Sequence, residues 1–213
     1  MIPPILNIIE SNSAAEIVIN MWTTTLTYFL IFGIFFISSW LICNSLKFST
    51  KSTNTALCLA SGIGLILLIL FEISITAVKG MILALILLYA SMSDIKTHTV
   101  PDFISAMLLI LAFIDFDISN IYSMVMGALL VFIPQFSFAV IYPKRCFGGA
   151  DLKISTALAF ILGTDKGVFA LILGMLLAVT ITPLYRKICI KDQTEAFPMI
   201  PFLSIGALLA YII

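Results

Sequence analysis

The chain has 213 residues, 62% of them hydrophobic and only 10% charged, with 11 basic residues balancing 11 acidic ones; its mean hydropathy is +1.19. A water-soluble domain carries about a quarter charged residues, so lipid is the solvent for most of this chain, and the zero net charge excludes nucleic-acid binding through a broad basic face. Cys43, Cys58, Cys146 and Cys189 show neither CxxC nor Cys/His spacing, so no metal site is expected and they read as small apolar residues kept reduced.

In chain order, Met1 to Asn20 carries Glu10 and Glu16 but no basic residue, unlike the positive start of a secretory signal. A helix needs about 20 apolar residues to cross the hydrocarbon core. Eight apolar runs approach or meet that length: Met21–Cys43, Thr55–Phe71, Thr76–Met92, Pro101–Ile114, Ile121–Tyr142, Leu152–Leu162, Gly167–Leu184 and Pro198–Ile213. The fold expected is all-α, a polytopic transmembrane bundle of about eight spans. The short fourth and sixth runs are tilted, longer than drawn, or shielded by neighbours. The 17 phenylalanines and nine methionines serve lipid contact and interhelical packing, and Gly62, Gly64, Gly174 and Gly206 are expected to let helices approach closely.

Alternating these spans places Lys47, Lys51, Lys96, Lys144, Arg145, Lys153, Arg186, Lys187 and Lys191 on one side, with only Lys79 and Lys166 on the other. By the positive-inside rule the first side is the cytoplasm. Asp115, Asp117 and Asp165 then sit outside in short loops, and Glu72 faces the outer surface with Lys79. Asp94 and Asp151 both fall at the cytoplasmic face. That result uses no motif.

Each of those two aspartates is followed two residues later by a lysine, in Ser93-Asp94-Ile95-Lys96-Thr97-His98-Thr99-Val100-Pro101 and in Phe147-Gly148-Gly149-Ala150-Asp151-Leu152-Lys153. A carboxylate at the rim of a bilayer is costly unless it meets water or a partner, which marks both as functional candidates. Asp94 ends the third span, and Pro101 suits the first turn of the fourth while biasing Val100 towards an extended backbone. Two roles are open to Lys96: a nearby positive charge for Asp94, or an anchor reaching the headgroups. Gly148 and Gly149 follow the basic turn Pro143-Lys144-Arg145 and are expected to permit backbone conformations and close approaches denied to larger residues. Asp151 lies at a helix start, where an aspartate also serves as a plain N-cap. Taken as a pair, however, the two carboxylates form the minimal apparatus for splitting an amide with water. Close carboxylates do not both ionise cheaply, so they share a proton. The ionised member activates water and the protonated member assists the carbonyl and the leaving amine.

The pattern D-x-K-x-x-x-[IV]-P after one span and G-x-G-D-x-K before another resembles the type IV prepilin peptidases, membrane aspartic proteases of the G-x-G-D group. Asp94, Lys96, Val100 and Pro101 match the first motif; Gly148, Asp151 and Lys153 match the second. Ile200-Pro201-Phe202-Leu203-Ser204-Ile205-Gly206 is similar to the family's I-P-F-x-P-F-L-x-x-G segment, shortened. The resemblance covers about Thr76 to Ile213. It implies a six-span peptidase core over 76–213, preceded by a tail and two accessory spans over 1–75. It further implies Asp94 and Asp151 as catalytic, with Lys96, Lys153, Gly148, Gly149, Ala150 and Pro101 in support. The implied substrate is a pilin-like precursor with a short basic leader, cut at the cytoplasmic surface of the inner membrane, with no cofactor. Ala150 departs from the pattern, standing where the family has its second glycine; alanine fits if φ is negative there. The family's N-terminal CxxC segment, associated with methylation, has no counterpart, so peptidase without methyltransferase activity is expected.

His98, the only histidine, reads as a solvated loop residue, Asp102 as helix-start charge and Asp192 as a loop residue. Two other readings compete. A protease of the presenilin or signal-peptide-peptidase type shares the G-x-G-D logic, but its mid-span aspartates and P-A-L segment are missing here. A small transporter or assembly subunit would call for inverted repeats or mid-membrane charge, and neither is found.

Overall fold

The computed structural model describes residues 4–46, 50–141, 148–189 and 198–213, with side chains placed over 19–46, 53–141, 148–183 and 198–213. Lys47, Pro143, Lys144, Arg145, Cys146, Lys191 and Asp192 lie outside the described residues, as do the side chains of Glu10, Glu16, Lys51, Arg186, Lys187 and Cys189. The described residues form α1 (Pro4–Ser45), α2 (Thr50–Phe71), α3 (Ile75–Thr97), α4 (Phe103–Ala112), a 3-10 turn (Ile118–Asn120), α5 (Ile121–Ile141), α6 (Gly149–Cys189) and α7 (Ile200–Ile212), without a strand among them.

Lipid offers the backbone no hydrogen bonds, so apolar runs of this length become helices that satisfy their own N–H and C=O groups. Five helical segments are long and apolar enough to cross a membrane: Ile19–Ser45, Thr53–Phe71, Ile75–Thr97, Ile118–Ile141 and Gly149–Pro183. Trp22 (72% exposed), Phe29 (73%) and Ile69 (76%) point outward, an apolar surface that water would not tolerate on a monomer. The chain is a multi-pass membrane protein.

Helix ends are marked by local chemistry. Ser74 caps α3 by accepting the Ala77 N–H at 3.1 Å. Glu72, His98 and Asp115 each take a positive φ of 50–56°, the left-handed conformation that commonly ends a helix, and each stands at the close of α2, α3 or α4. α4 is shorter than the Pro101–Ile114 run because Pro101 stays ahead of it, accepting the Ile104 N–H at 3.1 Å.

α6 is a hairpin of two limbs. Its backbone leaves helical geometry at Gly163 (φ 79°, ψ −173°). A Cβ added to Gly167 would come 2.7 Å from the Cα of Ala159, eight residues earlier. In a straight helix those residues would be separated by about 12 Å along the axis, so the chain reverses at Gly163. The sixth and seventh apolar runs are therefore the antiparallel limbs of one element. Asp165 and Lys166, expected in a loop, instead lie in the first turn of the returning limb, because one glycine in a backbone region closed to other residues makes the whole reversal.

α5 seats on this turn. A Cβ on Gly127 would lie 2.7 Å from the carbonyl of Gly163, and the Thr164 N–H donates to Ser123 Oγ at 3.0 Å. The returning limb packs on α7 through Gly174 and Gly206, where added methyl groups would strike the backbone of Leu203 and Ala170. Close contact at Gly64, Gly174 and Gly206 follows the expectation; Gly62 departs from it, facing open space. α7 runs antiparallel to α3 and is tied to it at both ends: Asp94 accepts the Ile200 N–H at 3.0 Å, and Tyr211 Oη donates to the Thr76 carbonyl at 2.7 Å. Between those ties lies a core that includes Leu83, Leu87, Leu108, Leu111, Leu158 and Leu203. Asp94 and Thr76 are 18 residues apart on one helix, about 27 Å, which defines two ends of the bundle.

Candidate active site

Asp94, Asp102, Gly148, Asp151 and Ile200 gather at one end. Asp94 lies in the last turn of α3 with 7% of its surface exposed. Its Oδ2 accepts the Ile200 N–H, at the first turn of α7. A helix N-terminus carries unsatisfied N–H groups and the positive end of a dipole, so α7 supplies a counterpart to a buried carboxylate that makes no ion pair among the described residues. Ser93 Oγ donates to the Thr99 carbonyl at 2.9 Å and Thr97 Oγ1 donates to the Ser93 carbonyl at 2.9 Å. These bonds pin the extended stretch after α3 and hold the end of that helix in place.

Asp151 lies half-buried in the first turn of α6. Its Oδ2 accepts the Gly148 N–H at 3.2 Å, the N-cap geometry open to an aspartate at a helix start. Asp94 and Asp151, 57 positions apart in sequence, are near enough that the charge of Asp94 reaches Asp151. Their other neighbours are backbone amides and, for Asp94, the exposed ring of His98.

The residues expected in support take different parts. Lys96 donates to the Leu46 carbonyl just beyond α1, so it ties the end of α3 to α1; Cys43 Sγ against Met92 Sδ at 3.6 Å makes a second such contact. Lys153 pairs with Asp102 at 2.8 Å, with 52% and 79% of their side chains exposed. Asp102 is thus more than helix-start charge: it precedes α4, makes no side-chain cap bond, and joins the first motif to the second. Pro101 starts the turn that leads into α4.

Gly148 and Gly149 need no left-handed backbone; Gly163 is the one described glycine at positive φ. A Cβ on Gly148 would meet the Asp151 carboxylate at 3.2 Å, while one on Gly149 would meet open space. The close approach expected at both therefore applies to Gly148 alone. Ala150 is helical with negative φ, so its methyl group is accommodated without strain.

Two contributors escaped the sequence reading. The Ile200 amide is a backbone group, which residue type does not disclose. Gln135 is 3% exposed inside α5 and accepts the Ser155 hydroxyl at 2.8 Å, anchoring the limb of α6 one turn beyond Asp151. A glutamine within an apolar run was its signal. Among the described residues no group of His, Cys, Asp or Glu is arranged to hold a metal ion.

Residues 81–183 match the model of the type IV leader peptidase family. No curated protein and no solved structure matches the chain. The matched stretch contains both D-x-K motifs, while α7, which supplies the Ile200 amide, lies beyond it. Over residues 81–183, just under half of its length, the chain is similar to the type IV leader peptidase family.

Proposed function

We propose that the protein is an aspartic endopeptidase in which Asp94 and Asp151 together activate water. The observation that carries this reading is the convergence of the two aspartates at one end of the bundle, within electrostatic range of each other. Like-charged neighbours share one proton more readily than they ionise together, which suits one carboxyl to act as base and the other as acid. The Ile200 and Met199 amides hold the Asp94 carboxyl and the Gly148 amide holds that of Asp151, which fixes both groups in place for water and substrate. Support from the family match is at the level of a peptidase.

The substrate proposed is a pilin-like precursor whose basic leader meets this end at the cytoplasmic face of the inner membrane. The nine-to-two bias of basic residues supports that orientation, and the carboxylates give an electronegative mouth to receive a basic leader. In this reading residues 76–213 form the catalytic core, and α1 braces it through the Lys96 and Cys43 contacts.

Co-expression with a type IV pilin precursor in membrane vesicles tests this. Wild-type protein is expected to shorten the precursor, while Asp94→Asn and Asp151→Asn, correctly inserted, leave it uncut. Cleavage at an undiminished rate by either variant would defeat the proposal.

A further inference from the structure

At the end of the bundle opposite Asp94 and Asp151, a cavity of about 410 Å³ opens between α3, α5, α6 and α7, lined by Lys79, Lys166, Asp115 and Asp117 among other residues. Gly163 is in its wall, 12 residues from Asp151 along α6 and so about 18 Å away. We propose that this cavity binds a zwitterionic headgroup of the phosphoethanolamine type.

The charges carry the argument. Two ammonium groups and two carboxylates border one space, yet none of them forms an ion pair; among the described residues Lys153–Asp102 is the ion pair present. The charge of Asp115 reaches Lys79, though the two make no ion pair. Asp117 is engaged by Ser119, whose N–H and hydroxyl it accepts at 3.0 and 2.6 Å, so Asp115 is the carboxylate left for a cation. A simple anion would gain from the lysines and be repelled by the aspartates, and a simple cation would meet the reverse. A ligand carrying one phosphate and one ammonium satisfies both. The returning limb of α6 begins at Thr164, and this adds the positive end of a helix dipole beside Lys166.

Beside the polar Thr76, Asn120 and Ser123, the cavity is walled by apolar side chains such as Phe71, Phe116, Met124 and Leu162, which is where acyl chains would leave a headgroup. Tyr122 is 74% exposed nearby, and tyrosine is enriched at headgroup depth.

Phosphatidylethanolamine, phosphatidylglycerol and soluble O-phosphoethanolamine, each titrated against the detergent-purified full chain, provide the test. Native mass spectrometry reads retention and thermal unfolding reads stabilisation. Phosphatidylethanolamine is expected to be retained in preference to phosphatidylglycerol. Retention is expected to fall about tenfold or more in Lys79→Gln/Lys166→Gln, through loss of charge-assisted hydrogen bonds, and to return in Lys79→Arg/Lys166→Arg. Asp115→Asn is expected to shift preference towards phosphatidylglycerol. Binding of O-phosphoethanolamine at comparable affinity would support the headgroup chemistry and name a soluble source. Preference for phosphatidylglycerol in the wild type, or equal retention of phosphatidylethanolamine by the glutamine variant, would overturn the proposal.

Discussion

Asp94 and Lys153 differ in burial, and burial decides how much each matters. A carboxylate 7% exposed with backbone donors from Ile200 and Met199 is held where loss or displacement costs the full desolvation of its partners. The Lys153–Asp102 pair, more than half exposed on both sides, is worth at most about 1 kcal/mol. Lys153→Ala is therefore expected to change stability by less than about 1 kcal/mol and to slow precursor cleavage less than Asp94→Asn or Asp151→Asn does. Equal and complete loss in a correctly inserted Lys153→Ala protein would refute that ranking. At this scale the aspartates were legible because ionised side chains at the edge of apolar runs stand out. Asp102 as the partner of Lys153 was not, since their meeting depends on how α4 begins relative to α6, 51 residues on. Likewise, the bond from Lys96 to the Leu46 carbonyl was not legible, since it joins residues 50 positions apart.

Among elements, α6 shows how one residue sets topology. The polar step Gly163-Thr164-Asp165-Lys166 marked a boundary between apolar runs, and the reversal does occur there. A four-residue loop was the natural expectation; the structure needs only Gly163, because a φ of 79° with ψ near 180° turns the chain at once. Alanine at that position would be strained and would also press on Ser123 Oγ at 2.8 Å. Gly163→Ala is expected to cost about 1–3 kcal/mol, read as a lower midpoint of denaturant unfolding in micelles. Gly149→Ala adds its methyl group to open space in a helical backbone and is expected to stay within about 1 kcal/mol of wild type. If the two variants unfolded alike, the hairpin geometry assigned to Gly163 would be wrong. Close packing at Gly174 and Gly206 was readable as small residues in apolar helices, but Gly62 looked the same in sequence and packs against nothing. Which face of a helix meets a neighbour is a tertiary property.

For the molecule as a whole, two ends with different chemistry are joined by a lipid-facing belt. Asp94, Asp151 and Ile200 mark one end; Thr76, Gly163 and Tyr211 mark the other. Single cysteines replacing His98 and Ser119, in a background with Cys43, Cys58, Cys146 and Cys189 substituted, are expected to react with an impermeant maleimide from opposite sides of the membrane. Under the proposed orientation, the position at 98 reacts from the cytoplasm. Labelling of both from one side would contradict the alternating passes. The layering was legible because apolar length reports bilayer thickness. The cavity beside Lys79 was not, because its lining comes from elements far apart in sequence and no single segment carries its signature.

The bond from Ile200 to Asp94 also has a consequence in time. α7 is the last described helix to leave the ribosome, and it brings the amide that one aspartate leans on. A nascent chain with both D-x-K motifs already in the membrane still lacks that donor, so synthesis itself acts as a timer: the site is completed only when the final helix slides in beside α3.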